Sequence, residues 1–155
     1  MLTQTSETAI RALIYLALQR SGDPVQPRLI AEQLGASPTY MAKITQLLTK
    51  AALLRSQRGA LGGVKLLRDP REITLLQIVE ACQGVVIEDF CQSTNHVHLT
   101  CAYHQAVMEL YEATIGILSR WTLADLAKKA CPSKSLAGKV SCRMGALTSL
   151  KEVVR

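Results

Sequence analysis

The sequence lacks the features of membrane-spanning and exported proteins. No stretch approaches the roughly 20 consecutive apolar residues that a membrane-crossing helix needs, and the N-terminus has no charged segment followed by an apolar one. The five cysteines form an odd set, which a scaffold of disulfides would not explain. We therefore expect a cytoplasmic protein with no membrane partner, whose cysteines are reduced thiols or metal ligands.

Acidic residues are scarce in two parts of the chain. The protein has 18 Lys and Arg against 12 Asp and Glu, for a net charge of +6. Residues 1–70 hold nine basic against four acidic residues, residues 71–130 four against seven, and residues 131–155 five against one. A basic first half is typical of a DNA-binding surface, although a basic surface that serves only solubility would give the same counts.

The first half has the pattern of a helix-turn-helix. Apolar spacing predicts a first helix from Ser6 to Gln19, with Ser6 as its candidate N-cap. A short second helix closed by Gly35 and a third helix begun by Ser37 and Pro38 follow. If the third helix turns its apolar stripe inward, its outward residues face DNA or, alternatively, solvent alone. These residues are Thr39, Tyr40, Lys43, Gln46 and Lys50.

A glycine-rich hairpin directly behind this pattern favours the DNA-binding alternative. Two short strands, 53–57 and 64–67, flank a tip with three glycines that supply positive-φ positions. Arg58 and Lys65 flank the same tip, where a phosphate backbone would lie. A helix-turn-helix followed by a basic hairpin predicts a winged-helix DNA-binding domain and a double-stranded DNA operator as its partner.

The second half predicts a dimerisation element. A fourth helix begins after Thr74 and ends near Gly84, and helical periodicity then fails across residues 85–100. Beyond that loop, apolar residues recur at alternating spacings of four and three, which suits a partner helix from a second copy of the chain. Burial of this seam against the chain's own first helix is the alternative. The seam consists of Tyr103, Val107, Leu110, Thr114, Ile117 and Trp121.

The predicted fold is mainly α with a small β-hairpin wing, a winged helix-turn-helix followed by a long dimerisation helix. We divide the chain into a DNA-binding domain (1–84), a sensor loop (85–100), the dimerisation helix with a short following helix (101–130), and a basic tail (131–155). A homodimer of this kind would read operator half-sites related by two-fold symmetry.

Several motifs in order resemble the Rrf-type family of bacterial winged-helix repressors. They are LT at 2–3, IRALIY at 10–15, SPTYMAKI at 37–44, RGALGG at 58–63, EITL at 72–75 and IVEA at 78–81. The resemblance covers about residues 1–130 and implies a DNA-binding homodimer. It implies DNA contacts from Thr39, Tyr40, Lys43 and Arg58. Where the family's iron–sulfur-biogenesis regulator has an operator-selecting glutamate, this chain has Ala42, so its operator preference is open.

The resemblance also implies a redox-sensitive iron–sulfur cluster, which many members of the family hold in the loop before the dimer helix. Such members usually place three cysteines there, whereas this chain has Cys91 and Cys101 with His96 between them. Imidazole can replace thiolate on one iron. His104 lies three residues after Cys101 on the same helix face, and Glu7 matches an acidic ligand of the family's nitric-oxide sensor. The candidate ligands of a 2Fe-2S cluster or other metal are therefore Cys91, Cys101, His104, Glu7 and His96, with His98 a competitor.

The resulting hypothesis is a dimeric repressor that senses redox state, nitric oxide or iron–sulfur status through this cluster. One alternative is a regulator of the same family without a cofactor, controlled by a protein partner or by oxidation of a thiol such as Cys101. A remote alternative is an enzyme with a Cys101–His104 nucleophile, but no sequence element indicates a substrate pocket or an oxyanion-stabilising site. We expect no enzymatic activity, and we expect Cys82 to be a packed core residue.

Overall fold

A computed structural model describes residues 2–19, 22–59, 62–86 and 101–130 of the chain. Within these ranges the predicted mainly helical fold with one small hairpin is confirmed. No helix among these residues has the length and apolar character needed to cross a bilayer. The elements are α1 (Gln4–Leu18), α2 (Pro27–Leu34), α3 (Pro38–Lys50), β1 (Leu54–Gln57), β2 (Gly63–Leu66), a 3-10 turn (Pro70–Glu72), α4 (Leu75–Gln83), α5 (Ala102–Arg120) and α6 (Leu123–Lys128).

The first helix begins earlier than its apolar pattern predicts. Thr3, with extended backbone, is the N-cap, and its Oγ1 accepts a hydrogen bond from the backbone N–H of Ser6 at 3.2 Å. The prediction that Ser6 caps this helix is therefore wrong. Ser6 is fully buried in the first turn, where its hydroxyl donates to Oε1 of Gln83 on α4 at 2.9 Å.

The helix-turn-helix has the predicted start and stop residues. Gly35 ends α2 in the left-handed conformation, with φ 64° and ψ 33°, which suits a residue without a Cβ. Ser37 caps α3 by accepting the backbone N–H of Tyr40 at 3.1 Å, and Pro38 occupies the first helical position. The turn between the two helices is thus set by local chemistry.

The core lies where α1, α3, α4 and α6 meet. Leu13, Met41, Ile44 and Ile78 are fully buried there, and each such side chain stabilises the fold by roughly 1.5–3 kcal/mol relative to exposure. Leu123 of α6 joins the same core, because its N–H donates to the carbonyl of Ile73 at 2.8 Å. The end of α5 is therefore brought back to the start of α4.

The hairpin is antiparallel, with Leu54 opposite Leu66 and Gln57 opposite Gly63. Val25, just before α2, pairs with Val64 through two backbone hydrogen bonds of 2.9 Å. This pairing attaches the hairpin to the helix-turn-helix.

Two of the three glycines of the hairpin serve a different purpose from the one predicted. Only Gly59 has positive φ, at 112°; the expectation of positive φ at Gly62 and Gly63 is wrong. A Cβ on Gly62 would instead collide with the carbonyl oxygen of Gln57. A Cβ on Gly63 would lie 2.5 Å from the carbonyl of Val25. Close approach of backbone to backbone is what requires glycine at these two positions.

Replacing Gly63 with alanine should destabilise the fold and detach the hairpin from Val25. Because the added Cβ meets backbone atoms that cannot rotate away, we expect a loss of about 1–3 kcal/mol in the free energy of unfolding. Urea unfolding measures this loss. Gly116→Ala is the matched control, because a Cβ there meets nothing within 4 Å and a helix interior gains up to about 1 kcal/mol from alanine. Equal stabilities of the two variants would contradict the packing described.

Candidate nucleic-acid interface and ligand residues

One face of α3 is held inward and the opposite face is left open. Met41, Ile44 and Leu48 are fully buried at spacings of three and four, and they fix the rotation of the helix about its axis. The residues that this rotation turns outward form an exposed row along the helix. They are Thr39, Ala42, Lys43, Gln46 and Lys50.

An open groove of about 580 Å³ separates α3 from the hairpin. Ala42, Gln46 and Lys50 line it from the helix, and Ser56 and Gly63 line it from the strands. The outward face of α3 and the hairpin therefore border one continuous concave surface.

The hairpin carries three basic residues, and two of them, Arg55 and Lys65, lie on the strand face opposite to Ser56 and Val64, which line the groove. Arg58 is exposed at the end of β1, and Lys65 on β2 is half-buried. Arg55, which the sequence interpretation did not single out, is exposed and lies directly opposite Lys65 in the strand register. Two like charges opposite each other repel, so an anion near them is favourable. The alternation of buried Leu54 with exposed Arg55 was the signal that could have identified this residue.

Tyr40 differs from the other residues predicted to face outward. Its side chain is half-buried and packs against the core, and its hydroxyl donates to Oγ1 of Thr5 on α1 at 3.1 Å. The hydroxyl therefore joins the first turn of α3 to the first turn of α1.

The long helix α5 is covered on one side only. Leu118 is its one buried residue, and its contacts within the described chain are chiefly with α4. Of the predicted seam, Val107 and Thr114 are half-buried, and the larger side chains are exposed. Their exposed fractions are 75% for Tyr103, 63% for Leu110, 51% for Ile117 and 43% for Trp121. The described part of the chain does not bury this seam against its own first helix.

An apolar groove of about 470 Å³ runs beside the seam. It lies between α4 and α5 and is lined by Leu2, Val79, Val85, Leu110 and Leu118. An exposed apolar surface of this kind is typical of an interface with another molecule.

Three of the candidate ligands lie within the described residues, and two of them are close together in the sequence. Cys101 is the exposed N-cap residue of α5, and His104, half-buried, follows in its first turn. Glu7 lies half-buried in the first turn of α1. Cys91, His96 and His98 lie outside the described residues, as do Cys131 and Cys142. Among the residues that are described, no group of three or more His, Cys, Asp or Glu side chains is placed to hold a metal ion.

Cys82 is the other described cysteine, and it lies half-buried against the core at the end of α4. Burial raises the pKa of its thiol to about 11, because the charged thiolate loses solvation there. Cys82 therefore packs against the core without being fully buried in it.

Comparison with known proteins places these features in a family. The family model Rrf2, described as an iron-dependent transcriptional regulator, matches residues 2–129. CymR (YrzC), the global cysteine regulator of B. subtilis, has the same fold, with a TM-score of 0.69, 24% identity and coverage of 83% of this chain and 96% of that chain.

Two further solved structures are similar. IscR of T. potens has a TM-score of 0.67 and 26% identity over 93% of this chain and 95% of its own. CymR of Staphylococcus aureus in an oxidised form has a TM-score of 0.68 and 25% identity over 85% of this chain and 99% of its own.

The two described cysteines should differ sharply in reactivity. In metal-free folded protein at pH 8, a thiol with a pKa of about 11 is thiolate in about one molecule in a thousand, so iodoacetamide should modify exposed Cys101 and spare Cys82. The modification of Cys82 should increase as the pH rises toward 11. Peptide mass spectrometry measures both sites, and equal rates in the folded protein would contradict the buried environment of Cys82.

Proposed function

Because this chain belongs to the Rrf2 family of transcriptional regulators, we propose that it is a dimeric repressor that binds an operator through α3 and the hairpin. The observation that carries this proposal is the rotation of α3, whose buried stripe leaves Thr39, Lys43 and Gln46 outward beside a basic hairpin. The matched family consists of transcriptional regulators, so we propose regulation of transcription rather than catalysis by Cys101 and His104.

In this proposal α3 lies in the major groove of B-DNA. Residues at the start of a recognition helix reach base edges, which assigns base contacts to Thr39 and Lys43. Arg58 and Lys65 on the hairpin contact the phosphate backbone, and Arg55 adds charge beside them. Ala42 presents only a methyl group, which suits an apolar contact such as the methyl of thymine.

Arg58→Ala should weaken operator binding through the loss of one phosphate contact. We expect a lower affinity on every DNA sequence and a slope of log K against log salt that is smaller by about one. Titration of a fluorescent duplex at several salt concentrations measures both, with a duplex that the wild-type chain selects from random-sequence DNA. Arg71→Ala, which removes an exposed arginine from the 3-10 turn, is the control and should leave the slope unchanged. Wild-type affinity and slope for the Arg58 variant would refute this role.

The proposed dimer pairs α5 with α5 of a second copy. Tyr103, Leu110 and Ile117 recur every seven residues on the exposed face, which is the geometry of helix pairing. The adjacent face, with buried Leu118, packs on α4 of the same chain. A two-fold dimer would hold two copies of α3 in a fixed relation, as a two-fold operator requires.

We also propose an iron–sulfur cluster, more specifically 2Fe-2S, as the sensor of redox state or of a gas such as nitric oxide. The family description names iron dependence. Cys101 and His104, three residues apart at the start of α5, offer a thiolate and an imidazole, both established ligands of such clusters. Cys91 would complete the thiolates, with Glu7 or His96 as the fourth ligand. The bound cluster would supply a centre that changes its charge and ligation with the signal.

Such a ligand set would connect the parts of the dimer that determine the distance between its two recognition helices. It would include the start of the dimer helix, the preceding loop and, if Glu7 comes from the partner subunit, the first helix of the second copy. A change at the centre would then bias the relation between the two recognition helices.

Cys91→Ala should abolish the cluster while leaving the DNA-binding fold intact. Protein purified without oxygen should be coloured and contain iron and sulfide in the wild type, and the variant should be colourless. Visible absorption with iron and sulfide analysis measures this. Cys82→Ala is the matched control and should keep the colour, because Cys82 packs against the core. A colourless, iron-free wild-type protein would contradict the cluster proposal and leave DNA binding untouched.

A cofactor-free regulator is the second candidate, and the exposure of Cys101 favours it specifically. An exposed thiol at the N-cap of α5 is accessible to oxidants in solution. In that case Cys101→Ser should remove the response of DNA binding to oxidant in protein that contains no iron.

A further inference from the structure

The first turn of α1 is hydrogen-bonded to two other helices. Thr5 accepts the hydroxyl of Tyr40 on α3 at 3.1 Å. On the other side of the turn, Oε1 of Gln83 on α4 accepts the Ser6 hydroxyl at 2.9 Å and the backbone N–H of Thr3 at 3.3 Å. This turn therefore lies between the end of α4 and the beginning of the recognition helix.

Thr5 is part of a well-anchored turn. Ser6 is fully buried, and its hydroxyl oxygen lies 3.0 Å from that of Thr3. The Thr3 side chain also caps the helix through the backbone N–H of Ser6. A hydrogen bond to Thr5 therefore fixes Tyr40 relative to the core.

The polar groups of Tyr40 are already used within the protein. A phenol has one proton, and the Tyr40 hydroxyl donates it to Thr5, so the same proton cannot be donated to a phosphate oxygen. The backbone N–H of Tyr40 is bonded to the hydroxyl of Ser37, the N-cap of α3. Thr39 and Lys43, by contrast, are exposed on the neighbouring positions.

We infer that Tyr40 is a positioning residue, which holds the start of α3 against α1 through Thr5 and so presents Thr39 and Lys43 to DNA at a fixed angle. This inference rests on the proposed function of α3 as the recognition helix. It assigns to Thr5, a residue on a helix that does not enter the groove, a measurable part in operator affinity. The alternative is a direct contact between the Tyr40 hydroxyl and DNA.

A double-mutant cycle separates the two. Tyr40→Phe and Thr5→Val each remove one partner of the hydrogen bond with little change of shape, and the combined variant removes both. Affinity is measured on the duplex that the wild-type chain selects from random-sequence DNA, at several salt concentrations and at a temperature where circular dichroism shows every variant folded.

If Tyr40 acts through Thr5, each single variant should lose about three- to tenfold in affinity, the size expected for one hydrogen bond. The double variant should be no weaker than the weaker single variant, because the same interaction is lost. The salt slope should stay at the wild-type value, since no phosphate contact is removed. Thr5→Ser, which keeps the hydroxyl, should bind the duplex with the affinity of the wild-type chain.

Thr8→Val is the matched control. Thr8 lies on the same helix, but its hydroxyl donates to the carbonyl of Gln4 within α1, so its removal should leave affinity unchanged. Wild-type affinity for Thr5→Val together with weak binding by Tyr40→Phe would overturn the inference in favour of a direct DNA contact. Additive losses, or no loss in either variant, would overturn it as well.

Failure of the inference can be distinguished from failure of the proposed function. If the wild-type chain selects no duplex, the assignment of α3 as a recognition helix fails. If it selects one and Arg58→Ala weakens binding but the cycle is additive, only the role of Tyr40 and Thr5 fails.

Discussion

The burial of one stripe of α3 is the constraint on which the other features depend. Met41, Ile44 and Leu48 are fully buried against the core. Because side chains project from a helix at fixed angles, the burial of these three decides that Lys43 and Gln46 face outward. The hairpin is placed relative to this face by the Val25–Val64 pairing and by two glycines that permit close backbone approach. The packing of α3 and the hairpin therefore also determines which of their residues face outward.

The same reasoning explains why α5 exposes large apolar side chains. A helix with one covered face buries the residues that meet its neighbour and leaves the rest exposed, and on α5 the exposed residues include large apolar side chains. The chain has few aromatic residues, and two of them, Tyr103 in the first turn of α5 and Trp121 at its C-cap, are exposed. Exposed apolar surface of this kind is typical of an interface with another molecule. Because α6 returns to the core beside α4, the end of α5 is fixed to the part of the chain that contains α1, α3 and α4.

Local signals allowed most of this fold to be predicted from the sequence. Gly35, Ser37, Thr74 and Thr122 act within a few residues of their own position, and their roles follow from spacing alone. Interactions between distant residues were not predictable in this way. Ser6 has the local pattern of a helix cap, but its hydrogen-bond partner, Gln83, lies 77 residues away and gives no signal near it. Tyr40 is half-buried rather than outward, and its bond to Thr5 has no local signature in the sequence. Close backbone contact at Gly62 and Gly63 likewise leaves no mark that separates them from glycines with positive φ.

The central claim is that two copies of the chain pair with each other and that each binds DNA through α3 and the hairpin. The stoichiometry of the DNA complex tests this claim most directly. Native mass spectrometry of the full chain with a duplex that it selects from random-sequence DNA should show two chains per duplex. Hydroxyl-radical footprinting of the same complex should show two protected patches related by symmetry and separated by about one helical turn or a multiple of it. A single chain bound to a duplex with one protected patch would contradict the account.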